Sequence, residues 1–292
     1  MKILITGSGG QLGRELVMQA GALGLEPLAM NHADLDITRS DQTRKIIADI
    51  TPDMVVNASA YTNVDEAETC TEAAYAVNRD GPAQLASACS ACAIPLIHIS
   101  TDFVFDGEKK APYLESDPTL PLSIYGKSKA EGETAIRAGL QQHLILRTSW
   151  LYSEHGRNFV KTMLGLGRER DQLSVVADQY GCPTGAGDLA RAILTMARKI
   201  IAGDEICWGT YHYCGQGTTT WHGFAEAIFK LAASYENLKI RQVKPITTDQ
   251  FPSPAQRPLH SSLDCSRILE QFAIQTIPWQ QSLAKVIGKI YS

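Results

Sequence analysis

Short apolar runs alternate in the first half of the chain with longer segments whose apolar residues recur every three or four positions. The runs are Lys2 to Thr6, Leu25 to Met30, Asp53 to Asn57, Pro95 to Ser100 and Leu144 to Arg147. Each has the length and β-branched content of a strand buried on both faces, the kind found in parallel sheets. Between them, Leu12, Leu16 and Ala20 mark one face of a helix. Ser40-Asp41 caps a second helix that runs through Ile50, and Thr71 to Cys92 reads as a third. A fourth helix carries Tyr125 and Lys129. Strand and helix alternating in this way predict an α/β fold with a doubly wound parallel sheet.

After Thr148 the alternation weakens. Helical patterns near Asn158 to Leu166, Gly187 to Ile201 and Gly223 to Ala233 are mixed with Gly-, Pro- and Thr-rich loops and with short strands at Ser174 to Ala177 and Tyr211 to Cys214. The expected organisation is a dinucleotide-binding domain over 1–148, rejoined by parts of 185–235. A smaller, interleaved substrate lobe is built mainly from 149–292 and closes over the carboxyl ends of the strands.

Composition narrows the function classes. The 292 residues are 44% hydrophobic and 20% charged, with formal net charge -4 and no Lys/Arg block. A nucleic-acid binder would need a basic face, so none is expected. No apolar stretch approaches the roughly 20 residues that cross a bilayer, and Met1-Lys2 leads straight into a strand without a cleavable apolar region. The reading is of a cytoplasmic protein with no membrane partner. Its seven scattered cysteines are unlike a disulfide framework. Cys89-Ser90-Ala91-Cys92 lacks both a second CxxC and a histidine at ligand spacing, and reads as small helix residues packed on a sheet.

The first strand ends in Gly7-Ser8-Gly9-Gly10-Gln11-Leu12-Gly13 and a helix follows. Glycines at Gly7, Gly10 and Gly13 let the chain turn tightly and bring backbone N–H groups and the helix N-terminus up to a pyrophosphate. This is the context of a Rossmann cofactor turn, although its spacing is not GxGxxG. At the end of the second strand, where a carboxylate would bind the NAD ribose, stands Met30-Asn31-His32. Asp34 and Asp36 follow a little later. The preference between NADPH and NADH is therefore open.

Tyr125 and Lys129, in Tyr125-Gly126-Lys127-Ser128-Lys129, lie four apart and share a helical face. A phenol has a pKa of about 10. An ammonium beside it stabilises the phenolate and brings the acid toward the operating pH, which suits proton donation to a carbonyl oxygen. Thr101, at the end of Ile99-Ser100-Thr101, supplies a hydroxyl that would bond the developing alkoxide.

At these residues the chain resembles the extended short-chain dehydrogenase/reductase family, and within it the reductases of dTDP-linked 4-keto sugars. The resemblance runs through Ile3-Leu4-Ile5-Thr6-Gly7, Val56-Asn57-Ala58-Ser59-Ala60-Tyr61-Thr62-Asn63-Val64-Asp65, Ser100-Thr101-Asp102-Phe103-Val104-Phe105-Asp106-Gly107, Arg147-Thr148-Ser149-Trp150-Leu151-Tyr152, Asp178-Gln179-Tyr180-Gly181-Cys182-Pro183-Thr184 and Arg257-Pro258. It implies reduction by NADPH or NADH of the C4 carbonyl of dTDP-4-dehydro-L-rhamnose, with Tyr125, Lys129 and Thr101 as the catalytic triad. By the same resemblance Gly10, Gln11 and Leu12 meet the pyrophosphate, and Asp36 and Ile37 the adenine side. Ala60, Tyr61 and Thr62 lie near the nicotinamide. Thr101, Asp102, Trp150, Asn158 and Arg257 face the dTDP-sugar, Trp150 as a flat platform and the last two toward the diphosphate. For Arg257 a structural ion pair is the competing reading. Some family members join two subunits through a magnesium ion held by glutamates on the first helix and near the C-terminus. Glu15 matches the first, but Lys285 to Ser292 holds no carboxylate, so a homodimer is implied without a metal site. Two alternatives remain open. One is a non-catalytic, cofactor-binding regulatory subunit similar to that of methionine adenosyltransferase. The other is a nucleotide-sugar epimerase or dehydratase with tightly held NAD.

Overall fold

The computed structural model describes all of residues 1–292. The chain runs β1 (Lys2–Thr6), α1 (Gln11–Ala20), β2 (Glu26–Met30), α2 (Ser40–Ile50), β3 (Met54–Asn57), α3 (Val64–Ala67), α4 (Thr71–Tyr75), α5 (Gly81–Ala91), β4 (Leu96–Thr101), α6 (Ile124–Gly139) and β5 (His143–Thr148). It continues with β6 (Leu151–Tyr152), α7 (Phe159–Glu169), β7 (Gln172–Val176), β8 (Tyr180–Gly181), β9 (Thr184–Gly185), α8 (Ala186–Ile201), β10 (Gly209–His212) and β11 (Thr219–Thr220). α9 (Trp221–Ala232), β12 (Gln242–Ile246), α10 (Ser266–Phe272) and α11 (Trp279–Tyr291) complete it.

Six strands form one parallel sheet in the order β10-β5-β4-β3-β1-β2. Side chains alternate across it, as the two-residue period of a strand requires. Ile3, Ile5, Val56, Ile97, Leu144 and Leu146 enter one core with Leu12 and Leu16 of α1 and Leu189, Ile193 and Ala197 of α8. Leu4, Val55, Leu96 and Ile145 enter the other with Ile47 of α2, Leu85 of α5 and Ile136 of α6. Cys89 lies in that second core and its thiol is pushed up to about 12 by burial, then by Cys92, so it is a packing residue. None of the seven cysteines is in a disulfide.

Two local expectations change. The segment from Thr71 to Cys92 is not one regular helix, because Ala76–Asp80 is a π-helical turn between α4 and α5. It orients Asn78, whose carboxamide bonds Tyr61 N (2.8 Å), Tyr61 O (3.0 Å) and Ser128 Oγ (3.1 Å). Ser40 is the first residue of α2 rather than its cap, and no side chain caps that helix.

Of the chain beyond Thr148, β10 joins the main sheet and α8 packs against one face of it. Ile268 and Phe272 of α10 pack on the same core. A separate core joins Val160, Met163 and Leu164 of α7, Phe224 and Ile228 of α9, and Leu283 and Ile287 of α11. This second lobe stands over the strand ends. The parallel order reverses between β1 and β3, and a crevice opens outside the strand ends at such a point.

Candidate active site

The β1–α1 turn forms the floor of that crevice. Gly7 adopts φ +67° and its backbone packs on the carbonyl of Ala58, while a Cβ at Gly13 would overlap the Gly7 carbonyl oxygen. These two glycines make the turn, whereas Gly9 has open space around it and lines the cavity. Gly13→Ala therefore forces the turn off the strand end. The expected cost is about 1–3 kcal/mol of stability, the range for overpacking, read as a lower urea midpoint. A midpoint equal to that of the parent would contradict the close packing.

Two cavities flank the turn and share Gly9, Gly10, Ala58, Ser59 and Ala60 as walls. The smaller, about 540 Å³, is lined by Gly7, Asn31, His32, Asp36, Ile37, Thr38 and Tyr61 among others. The Asp36 carboxyl lies below its usual range. Burial would raise it, but bonds from the Thr38 hydroxyl (2.7 Å) and N–H (3.0 Å) outweigh that. At the end of β2, Asn31 Oδ1 accepts from Ala33 N at 2.7 Å, and Asn31 N donates to Asp34 Oδ2 at 3.0 Å.

The larger cavity, about 760 Å³, brings together Gln11, Leu12, Thr62, Thr101, Asp102, Tyr125, Lys129, Trp150, Asn158 and Arg257. Every site residue expected from the sequence lines one of the two cavities except Gly13, which acts through the turn. Ser123 caps α6 by accepting from Gly126 N at 3.2 Å, and Tyr125 and Lys129 follow on the face turned to β4.

The electrostatics depart from expectation at one point. Burial pushes the Tyr125 phenol up to about 12; a bond with the Thr101 hydroxyl lowers it and the Asp102 charge raises it. Lys129 is not positioned to acidify it. Its Nζ lies 2.6 Å from the Ile99 carbonyl oxygen and 3.1 Å from His98 Nε2, and burial lowers its pKa to about 8. Lys129 is not among the groups that shift the Tyr125 phenol, whose causes are burial, the Thr101 bond and the Asp102 charge. Asp102 is fully buried, and desolvation raises its carboxyl to about 7 against the bond from Thr101. Its Oδ1 accepts from Thr101 Oγ1 at 3.1 Å, and its Oδ2 has no partner.

Three expected substrate contacts are already engaged within the chain. Trp150 is not a free platform: its ring stacks on Trp221 with centroids 3.5 Å apart and planes at 4°. Its backbone sits at φ 45°, a left-handed conformation that costs roughly 1–2 kcal/mol for a non-glycine residue. The Trp221 stack and the neighbouring Gly181 backbone hold it there. Asn158 caps α7, accepting from Lys161 N (3.1 Å), and donates to Gln11 Oε1 (2.8 Å), so it ties the glycine turn to the second lobe. Arg257 pairs with Asp65 at 2.8 Å and also donates to Ser253 Oγ at 2.6 Å. The ion-pair reading of Arg257 therefore describes its contacts, although it also lines the cavity.

Sequence reasoning missed Trp221, His98 and Arg157. Arg157 and Trp221 line the larger cavity, and His98 lies under Lys129. Trp221 opens α9 after the Thr220 cap, and nothing local distinguishes it from a core aromatic. Glu15, Glu154 and His155 bring one ligand atom each within 4.8 Å of one another. Lys289 Nζ lies among them, 2.8 Å from Glu154 Oε1 and 3.5 Å from Glu15 Oε1. The chain's own ammonium takes the cation's place, so these residues do not fit a divalent ion as they stand.

The model of the family described as the RmlD substrate binding domain matches residues 1–292. A dTDP-4-dehydrorhamnose reductase of Aggregatibacter actinomycetemcomitans is 45% identical over 98% of each chain. The crystal structure of a dTDP-4-dehydrorhamnose reductase from Clostridium acetobutylicum superposes with a TM-score of 0.92 at 40% identity, covering 100% of both chains. That of the Bacillus anthracis enzyme in complex with NADP has a TM-score of 0.90 at 35% identity and covers 99% of each.

Proposed function

Because this chain belongs to the dTDP-4-dehydrorhamnose reductase family, an NAD(P)-dependent oxidoreductase family, we propose that its larger cavity reduces the C4 carbonyl of dTDP-4-dehydro-L-rhamnose, with Tyr125 as proton donor. The observation that carries the reading is the convergence of Thr101, Tyr125 and Lys129 on a cavity that shares its wall with the glycine turn. Bound NADPH or NADH supplies the hydride.

The chain's own residues do the rest. Gly10, Gln11 and Leu12 present the turn and the α1 N-terminus to the pyrophosphate. Asp36 and Ile37 flank the adenosine, and Lys129 holds the nicotinamide ribose. Tyr125, a firm phenol in its buried setting, transfers its proton to the carbonyl oxygen as charge develops there. The Thr101 hydroxyl steadies that oxygen. Trp150 and Trp221 border the sugar together, and Arg157 and Arg257 supply positive charge near the diphosphate. No helix is long and apolar enough to cross a membrane, and unpaired thiols support a reducing, cytoplasmic setting.

The test is steady-state oxidation of NADPH or NADH by the purified protein with dTDP-4-dehydro-L-rhamnose, through many turnovers, with dTDP-L-rhamnose as product. Multiple turnovers matter because a regulatory subunit would bind both ligands and convert neither, and an epimerase would need no added reduced cofactor. No oxidation with either cofactor, in a folded sample that binds NADPH, would sink the proposal. Trp150→Ala is expected to weaken the sugar nucleotide or its turnover about tenfold or more, given the 1–3 kcal/mol scale of an aromatic stacking contact. NADPH affinity, measured by fluorescence titration, should be spared. Equal loss of both affinities would instead assign Trp150 to the general architecture of the cleft.

A further inference from the structure

The hydrogen bonds beneath Lys129 fix the direction of every donor. Asn57 Oδ1 accepts from the backbone N–H of Ser59 at 3.1 Å and from Thr6 Oγ1 at 2.7 Å. A backbone N–H is only a donor, so the oxygen of that amide is identified and its Nδ2 is the atom 2.9 Å from His98 Nδ1. Nδ1 therefore accepts. The His98 ring is fully buried and its pKa is pushed well below the usual range, by desolvation and then by Lys129, so it is neutral. A neutral imidazole whose Nδ1 accepts carries its proton on Nε2.

That N–H points at Lys129 Nζ, 3.1 Å away. An ammonium has no lone pair to receive it, whereas an amine accepts from His98 and still donates to the Ile99 carbonyl at 2.6 Å. We propose that His98 is a positioning residue that lowers the proton affinity of Lys129, its Nε2–H facing the lone pair of the amine form. The relay Thr6–Asn57–His98–Lys129 is buried at every member, where an unmatched donor pair would cost most.

The other groups facing Lys129 do not reverse this. Glu133, one turn along α6, favours the ammonium. Its carboxylate is already taken by Arg147 at 2.7 and 2.9 Å, Arg137 at 2.6 Å and Ser100 at 2.6 Å. Tyr125, on the same helical face, is an un-ionised phenol. His98 therefore sets how much of Lys129 remains an ammonium as pH rises toward about 8. The consequence for catalysis rests on the role of Lys129 given above. The protonation state itself is read without substrate or cofactor, so the two fail separately.

In ¹⁵N-labelled wild-type protein without ligands, long-range imidazole spectra should show His98 protonated at Nε2 and bare at Nδ1. The ¹³Cε resonance of Lys129, identified by its loss in Lys129→Arg, should titrate near pH 8, well below the solvent-exposed lysines. His98→Gln offers the amine an amide oxygen, which suits an ammonium. The Lys129 titration should then move up by at least about one pH unit, a tenfold change in proton affinity, and the alkaline limb of kcat/KM should move with it. A His98 protonated at Nδ1, or a wild-type Lys129 that titrates with the surface lysines, would overturn the proposal whether or not the Gln variant folds. An unmoved Lys129 titration in a folded His98→Gln protein would do the same.

Discussion

Tyr125→Phe should lower kcat by at least about 100-fold, the usual scale of a positioned general acid, while leaving NADPH affinity within a few-fold of the parent. The phenol bonds the Thr101 hydroxyl in the larger cavity, and burial holds it un-ionised through the neutral range. Phenylalanine keeps the ring and its edge-to-face contact with Phe103, whose centroid lies 5.6 Å away, so folding should survive and only the proton should be lost. Rapid-quench single turnovers separate this loss from product release. Near-normal turnover in a folded Phe variant would remove Tyr125 as the donor and turn attention to Asp102, whose raised carboxyl opens on the same cavity.

The second large effect is on stability. Glu133 and Arg147 are a fully buried ion pair between α6 and β5, with Nε–Oε1 at 2.9 Å and Nη2–Oε2 at 2.7 Å. The guanidinium also lies 5.0 Å from the Phe105 ring centroid. Glu133→Ala leaves that cation without its carboxylate, and removing one partner of a buried pair costs about 3–5 kcal/mol. Urea unfolding should show that loss, and the double variant Glu133→Leu/Arg147→Met should recover much of it, because the penalty lies in the orphaned charge. Burial would raise the Glu133 pKa, but the bond and charge of Arg147 with the Ser100 bond hold it below its ordinary value. Its contribution is therefore complete above the unfolded carboxyl pKa of about 4.3 and fades as pH falls through the lower folded value. The gap between wild type and Glu133→Ala should accordingly narrow only below about pH 4. A gap that closes near neutrality would mean that Glu133 is not ionised in the fold.

Much of the fold was legible because parallel strands buried on both faces must be apolar, and their helices must repeat every three or four residues. Ile3 and Leu4 read as one apolar run, yet they enter opposite cores, and the run is apolar for that reason. The π-helical turn at Ala76–Asp80 was invisible, since the contacts that hold its Asn78, to Tyr61 and Ser128, are distant in sequence. The cleft residues were legible where chemistry demands a residue type at fixed spacing, as with Tyr125, Lys129 and the glycine turn.

What the sequence by itself determined is therefore local: strand and helix identity, the glycine turn, and which side chains carry dissociable protons or a reactive hydroxyl. Only the tertiary structure decided the states and partners of those groups. Trp150 follows β5 and Trp221 opens α9, 71 residues later, so their stack exists only once α9 packs against the end of β5. Lys129 carries an amine in any conformation, but its protonation follows from the dielectric around it and from the direction of the His98 N–H, which Asn57 and Ser59 set from another strand. Spacing along a helix fixes which residues share a face. Hydrogen-bond direction and burial, which fix charge, depend on what the fold brings opposite that face.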